Sequence, residues 1–151
     1  MAYWLMKSEP SVFSIDHLKA KPKQTAFWDG VRNYQARNFM QSMKKGDQIL
    51  FYHSSCPEPG VVGVAQVVKE AYPDHTAFDP KDPHYDPKSK PDKPTWMMVD
   101  VKFVKKLKRV IGLDEMKQQP KLGSFRLLQR GNRLSVMPVS DAEWKTVLAM
   151  E

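Results

Sequence analysis

Six prolines fall between residues 73 and 94, and they separate two long runs of strand-forming sequence. Val61 to Tyr72 is β-branched and mostly apolar, which suits a central strand. Trp96 to Leu107 alternates: Met98, Asp100, Lys102 and Val104 fall on one face, Met97, Val99, Val101 and Phe103 on the other. The prolines at 73, 80, 83, 87, 91 and 94 forbid regular pairing within the stretch, and Asp79-Pro80 and Asp86-Pro87 favour turns. A linker is one reading of 73–95. Phe78 and Tyr85 are candidates to pack down, which favours a long ordered loop covering a barrel.

Shorter elements surround this pair. Tyr3 to Ser8 reads as a strand ended by Glu9-Pro10, and Ser14 caps a helical turn that Pro22 stops. Between Asn33 and Lys45, the apolar Ala36, Phe39, Met40 and Met43 keep helical spacing, with Gln35, Arg37, Asn38, Gln41 and Lys44 on the other face. Lys45-Gly46-Asp47 turns the chain into a strand over 48–54. Helical turns are expected at Leu113–Gln119 and Phe125–Gln129, and a strand at Leu134–Val139. A capping box, Ser140-Asp141-Ala142-Glu143, opens a last helix with Trp144, Val147 and Leu148 inward. No βαβ spacing links the strands. The expectation is α+β: residues 1–151 as one domain, a small mixed, mainly antiparallel barrel with peripheral short helices.

Charge narrows the partners. Lysine and arginine number 24 against 17 acids, and the excess sits at the two ends of the chain. Residues 1–60 carry 8 basic and 5 acidic side chains, and 101–151 carry 11 and 5, whereas 61–100 carry 5 and 7. A basic surface attracts polyanions, of which nucleic acid is the commonest. Cys56 is alone and forms no internal disulfide, as suits a reducing compartment. No apolar run is long enough to span a membrane, and no leader is recognisable, so no membrane partner is expected. Gly60-Val61-Val62-Gly63 lies at a strand start and is no phosphate loop. His75 and His84 lack metal-ligand spacing, and Asp-Pro turns account for the aspartates beside them, so neither cofactor nor metal is expected. Oligomeric state is left open.

The stretch from Phe27 to Asn38 sets three aromatics, two arginines and two asparagines around an Asp29-Gly30 turn at a helix start. A base needs a flat face to stack on and polar groups to read its edge, and its phosphates need cations or helix amides. The competing reading makes Trp28 core and leaves Arg32 and Arg37 as solvated helix charges. In Phe51-Tyr52-His53-Ser54, alternation sends Phe51 and His53 one way and Tyr52 and Ser54 the other, and one face must be core. Lys7-Ser8-Glu9 adds polar groups beside Trp4, and Ser124-Phe125-Arg126 with Arg130-Gly131-Asn132-Arg133-Leu134-Ser135 adds three arginines. Together these suggest one basic, aromatic-lined concavity.

Tyr3-Trp4-Leu5-Met6-Lys7-Ser8-Glu9-Pro10 and Trp28-Asp29-Gly30-Val31-Arg32-Asn33-Tyr34-Gln35-Ala36-Arg37-Asn38 resemble the signature of EVE domains. So do Lys45-Gly46-Asp47 followed by Phe51-Tyr52-His53-Ser54, Tyr85-Asp86-Pro87, Pro94-Thr95-Trp96 and Arg133-Leu134-Ser135-Val136, in family order along nearly the whole chain. The resemblance implies a PUA-like fold related to YTH domains, which hold a modified base in an aromatic pocket. Carried over by position, Trp28 is the stacking wall, with Tyr34 or Tyr52 as second walls. Ser8, Asn33 and Ser54 read the base edge, Glu9 accepts from an exocyclic amine, and Lys7, Arg32, Arg37 and Arg130 meet phosphates or the rim. The chain resembles a bacterial-type, domain-only member, for which a cytoplasmic location is expected.

Three functions compete on these residues. The favoured one is a reader that flips a modified base of DNA or RNA into the pocket, without catalysis. The second is an amidohydrolase of modified nucleosides built on Lys7, Ser8 and Glu9. Alternation along a strand weakens it by sending Ser8 away from the other two. The third is a protein-interaction module using the 73–95 loop.

Overall fold

The computed structural model describes residues 1–151. Six strands form one sheet: β1 (Tyr3–Ser8), β2 (Thr25–Phe27), β3 (Gln48–His53), β4 (Gly60–Pro73), β5 (Met97–Gly112) and β6 (Val136–Val139). Their order is β2-β5-β4-β3-β1-β6, antiparallel throughout except for the parallel pair β1 and β3. The α+β class and the mainly antiparallel pairing are as the sequence predicts. The sheet is not closed, however, because its edge strands β2 and β6 do not pair with each other.

Four short helices complete the fold: α1 (Ile15–Ala20), α2 (Tyr34–Ser42), α3 (Leu113–Lys117) and α4 (Asp141–Ala149). Local chemistry places their starts. The Ser14 hydroxyl accepts from the His17 N–H at 3.1 Å, and the Asn33 Oδ1 accepts from the Ala36 N–H at 2.9 Å. The Ser140 and Glu143 side chains cap α4 reciprocally. No helix is long and apolar enough to cross a membrane.

β5 runs five residues past its predicted end because β4 begins at Gly60, which pairs with Gly112 and extends the ladder. Register breaks along this pair bend it. The basic cluster Lys105 to Arg109 therefore lies on a strand, and Lys106, Arg109 and Lys105 pair there with Asp16, Glu115 and Glu151. β2 went unpredicted, since three residues carry too little alternation to read.

Apolar side chains from both faces of the sheet join one core that includes Leu5, Met6, Phe51, Val99 and Val101. Tyr52 is part of it too, so both faces of β3 are core. Asp47 closes one end of the sheet. Its Oδ2 accepts from the Trp4 indole at 3.0 Å and from the Lys44 N–H at 2.9 Å, and its Oδ1 accepts from the Ala2 N–H at 3.1 Å. Burial pushes the Asp47 pKa up, but these bonds outweigh it and hold the carboxyl below the ordinary aspartate value.

Asp47→Ala is expected to lower stability by about 1–3 kcal/mol, because the buried Trp4 N–H loses its acceptor; urea unfolding measures it. A depressed folded pKa also sets a sign. The contribution of Asp47 is complete above the unfolded pKa and disappears as pH falls through the folded one. Urea midpoints should therefore fall on acidification below the ordinary aspartate pKa, less steeply in Asp47→Asn.

Candidate nucleic-acid interface

The Pro-rich segment is ordered, and its turns have a common construction. Asp74, Asp79, Asp82 and Asp86 each accept, through Oδ1, from the N–H two residues on: Thr76, Lys81, His84 and Lys88. Ala77, Ser89 and Trp96 are buried, and the Trp96 indole donates to Asp86 at 2.7 Å. Tyr85, expected to pack inward, is 41% exposed.

This loop is fastened to the start of α2 by a buried carboxylate. The Asp74 Oδ2 accepts from the Gly30 N–H at 2.8 Å and from Arg32 at 3.0 Å, and its Oδ1 accepts from the Thr76 hydroxyl at 2.6 Å. Arg32 also donates to the His84 carbonyl through Nε and a terminal nitrogen, at 3.0 and 2.7 Å. Arg37 bonds the Thr95 carbonyl at 2.9 Å and lies over the Tyr34 ring. Both arginines, expected at a phosphate rim, are occupied in holding the loop. Burial raises the Asp74 pKa, and the bonds from Thr76, Gly30 and Arg32 reverse that shift and lower it.

The turn so fixed forms one wall of a cavity of about 520 Å³, within the usual range of small-molecule sites. Of the sequence-predicted residues, Lys7, Glu9, Trp28 and Ser54 line it. The end of β1 brings Lys7 and Glu9, the end of β3 brings Ser54, and the Trp28 N–H is held by the Val99 carbonyl of β5 at 2.8 Å. Trp28 is only 7% exposed and meets Phe51 edge-on at 5.4 Å, so the core fixes its ring while one side borders the cavity. Lys7 sits half-buried above the Tyr52 ring, 5.8 Å from its centroid, and burial lowers its pKa. Tyr52 itself is 3% exposed and lies beneath the site; burial, with lesser help from Cys56 and Asp114, pushes its hydroxyl up to about 12.

The remaining candidates lie elsewhere. The Ser8 hydroxyl donates to the Phe13 carbonyl at 2.7 Å and shapes the turn after β1. Tyr34 is 62% exposed and leans on Trp96 outside the cavity. Asn33 and Arg130 line a neighbouring depression of about 410 Å³ with Gln35, Arg126, Gln129 and Arg133. Arg133 borders both depressions and joins them into one surface.

Arg133, Ser135, Asp29, Gly30 and His84 also line the main cavity, and none was singled out as a site residue from the sequence. Arg133 and Ser135 stand in the same run as Arg130. They reach the cavity because the Lys7 N–H donates to the Ser135 carbonyl at 2.8 Å, a pairing without local signal. A further cavity of about 540 Å³ also borders Trp28. Asp29, Asp82 and Asp100 line it against one cation, Lys21, which disfavours a polyanion there.

An EVE domain family profile matches residues 2–150. Thymocyte nuclear protein 1 of mouse is 52% identical over 166 residues, covering 99% of this chain and 73% of that protein. A crystal structure of a Pseudomonas syringae protein is 52% identical, covers 99% of both chains and superposes with a TM-score of 0.96. The human THYN1 protein in complex with 5-methylcytosine containing DNA is 50% identical, covers 99% of this chain and 97% of its own, and has a TM-score of 0.94. The YTH domain of Mmi1, at 14% identity and a TM-score of 0.56, shares the fold. These findings overturn the cytoplasmic location expected from the sequence, since relatives half identical to this chain are named as nuclear proteins. The expectation rested on the likeness to a bacterial-type, domain-only member together with a missing leader and a missing membrane span, and those two absences do not distinguish the cytoplasm from the nucleus.

Gly30 has a φ of +80°, and a Cβ there would meet the His84 imidazole at 2.6 Å. Gly30→Ala should therefore destabilise by more than the roughly 1–2 kcal/mol of a left-handed backbone. His84→Ala in the same chain should return the steric part, so the two losses should sum to less than additive in urea unfolding.

Proposed function

The chain belongs to the EVE domain family, and we propose that residues 1–151 act as one module that takes a modified base of a nucleic-acid strand into the Trp28 cavity. The observation that carries this reading is the junction at Arg133. A cavity with an aromatic wall and hydrogen-bonding groups opens there onto a depression lined by three arginines, Arg126, Arg130 and Arg133. A flipped base needs the first and the flanking phosphates need the second.

In this reading Trp28 is the apolar wall, Ser54 and Ser135 offer hydroxyls to the base edge, and Glu9 accepts from an exocyclic amine. Arg130 and Arg133 meet phosphates, and Asn33 contributes beside them only its amide NH2, because its oxygen caps α2. Arg32, Arg37, Tyr34, Ser8 and Tyr52 position the site and do not touch the ligand. The relative bound to DNA containing 5-methylcytosine supports DNA with a modified cytosine as the ligand class. Binding without catalysis is the function proposed.

Labelled DNA and RNA strands, with and without modified cytosines and adenines, are titrated at two salt concentrations. We expect salt-sensitive binding that prefers DNA carrying a modified cytosine. Binding indifferent to the modification would reduce the module to a general polyanion binder, and absence of binding would defeat the reading. Arg133→Ala should weaken binding to all strands and reduce the salt slope by about 1. Trp28→Ala is a poor probe, because emptying a buried tryptophan site costs about 3–5 kcal/mol of stability.

A further inference from the structure

Lys7 differs from the other cations of the site. Its Nζ makes neither an ion pair nor a hydrogen bond, although Glu9 and Asp29 line the same cavity. It lies instead over the aromatic face of Tyr52, whose ring is buried. Burial lowers its pKa, which increases the share of neutral amine at physiological pH. The Arg133 guanidinium already gives the cavity a positive charge. An unpaired, partly dehydrated lysine in a ligand cavity has the attributes of a nucleophile for carbonyl groups.

We propose that Lys7 forms a reversible imine with an aldehyde carried by the nucleotide in this cavity. The inference rests on the nucleic-acid reading above and deepens it. Two sources present that chemistry: a formyl group at C5 of a cytosine, and the open-chain C1′ of an abasic sugar. The lysine lone pair attacks the carbonyl carbon, the C–N bond forms, and the carbonyl π electrons move to oxygen, which takes up a proton. The carbinolamine nitrogen gives up a proton, its lone pair forms the C=N bond as the C–O bond breaks, and the oxygen leaves with a second proton as water. The resulting iminium releases its remaining N–H proton to give the imine. One amine and one aldehyde yield one imine and one water, with no oxidant or reductant. A methyl group at C5 offers no electrophile, so a methylated strand is bound without a covalent step. An aldehyde would be held longer by the same pocket.

The test uses the full chain with four duplexes, containing 5-formylcytosine, an abasic site, 5-methylcytosine or no modification. Sodium cyanoborohydride reduces any imine to a stable amine, denaturing electrophoresis reads the adduct, and peptide mapping locates it. We expect an adduct on an aldehyde-bearing duplex only, mapped to Lys7, at least tenfold reduced in Lys7→Arg and unchanged in Lys121→Arg. Reaction with the formyl duplex alone identifies a base aldehyde, and reaction with the abasic duplex alone a sugar aldehyde. The adduct should also form at lower pH than adducts of exposed lysines. An adduct spread over surface lysines, or undiminished in Lys7→Arg, overturns the inference. Absence of adduct while the methylated strand still binds overturns it too and leaves the reader standing. Absence of binding to every strand removes both. If Lys7→Arg does not fold, mapping and the pH profile of the unmodified protein decide.

Discussion

The Asp74 side chain has no exposed surface, and four hydrogen bonds converge on its two oxygens from Gly30, Arg32 and the backbone and hydroxyl of Thr76. A buried carboxylate without partners would be severely destabilising, so these donors must be present whenever the chain is folded. That requirement fixes the Asp29-Gly30 turn relative to the 73–95 loop. The turn in turn sets Trp28 against the core and His84 against Gly30. The cavity wall thus depends on one carboxylate more than 40 residues away from the turn it holds.

The same constraint explains how the cations divide. A guanidinium has five donors in a rigid fork, which suits it to gathering carbonyls as well as phosphates. Arg32 and Arg37 reach the His84 and Thr95 carbonyls of the loop, which no backbone N–H takes up. Arg130 and Arg133 lie on the far side of the cavity, exposed and without such a loop above them. Lys105, Lys106 and Arg109 of β5 are engaged with Glu151, with Asp16 of α1 and with Glu115 of α3. Arg126, Arg130 and Arg133, by contrast, make no ion pair and line one depression together.

Lys7 stands between these two groups. Lys7 is the next-to-last residue of β1, still paired with Tyr52 of β3, one residue before the turn that Ser8 holds. The aromatic face of Tyr52 supports its stem and ammonium without neutralising it. The environment is dry enough to weaken the charge and open enough for a ligand to approach.

Residues close in sequence determined much of this protein. Caps at Ser14 and Ser140, the spacing of Ala36, Met40 and Met43, and the β-branched run from Val61 depend on neighbours within a turn or a strand, and they were legible; Asn33, read as a base contact, caps α2 instead. The motifs that carry the EVE resemblance were legible as well, and with them the fold class. What a side chain faces was decided only by tertiary structure. Trp28 and Tyr52 are buried by strands and helices far along the chain, Arg32 and Arg37 meet a loop more than 40 residues on, and Ser135 reaches Lys7 across the whole sequence. The physical reason is that periodicity assigns a side chain to a face of its own element. Whether that face meets core, loop or solvent is set by which distant hydrogen-bonding and apolar groups arrive to satisfy it.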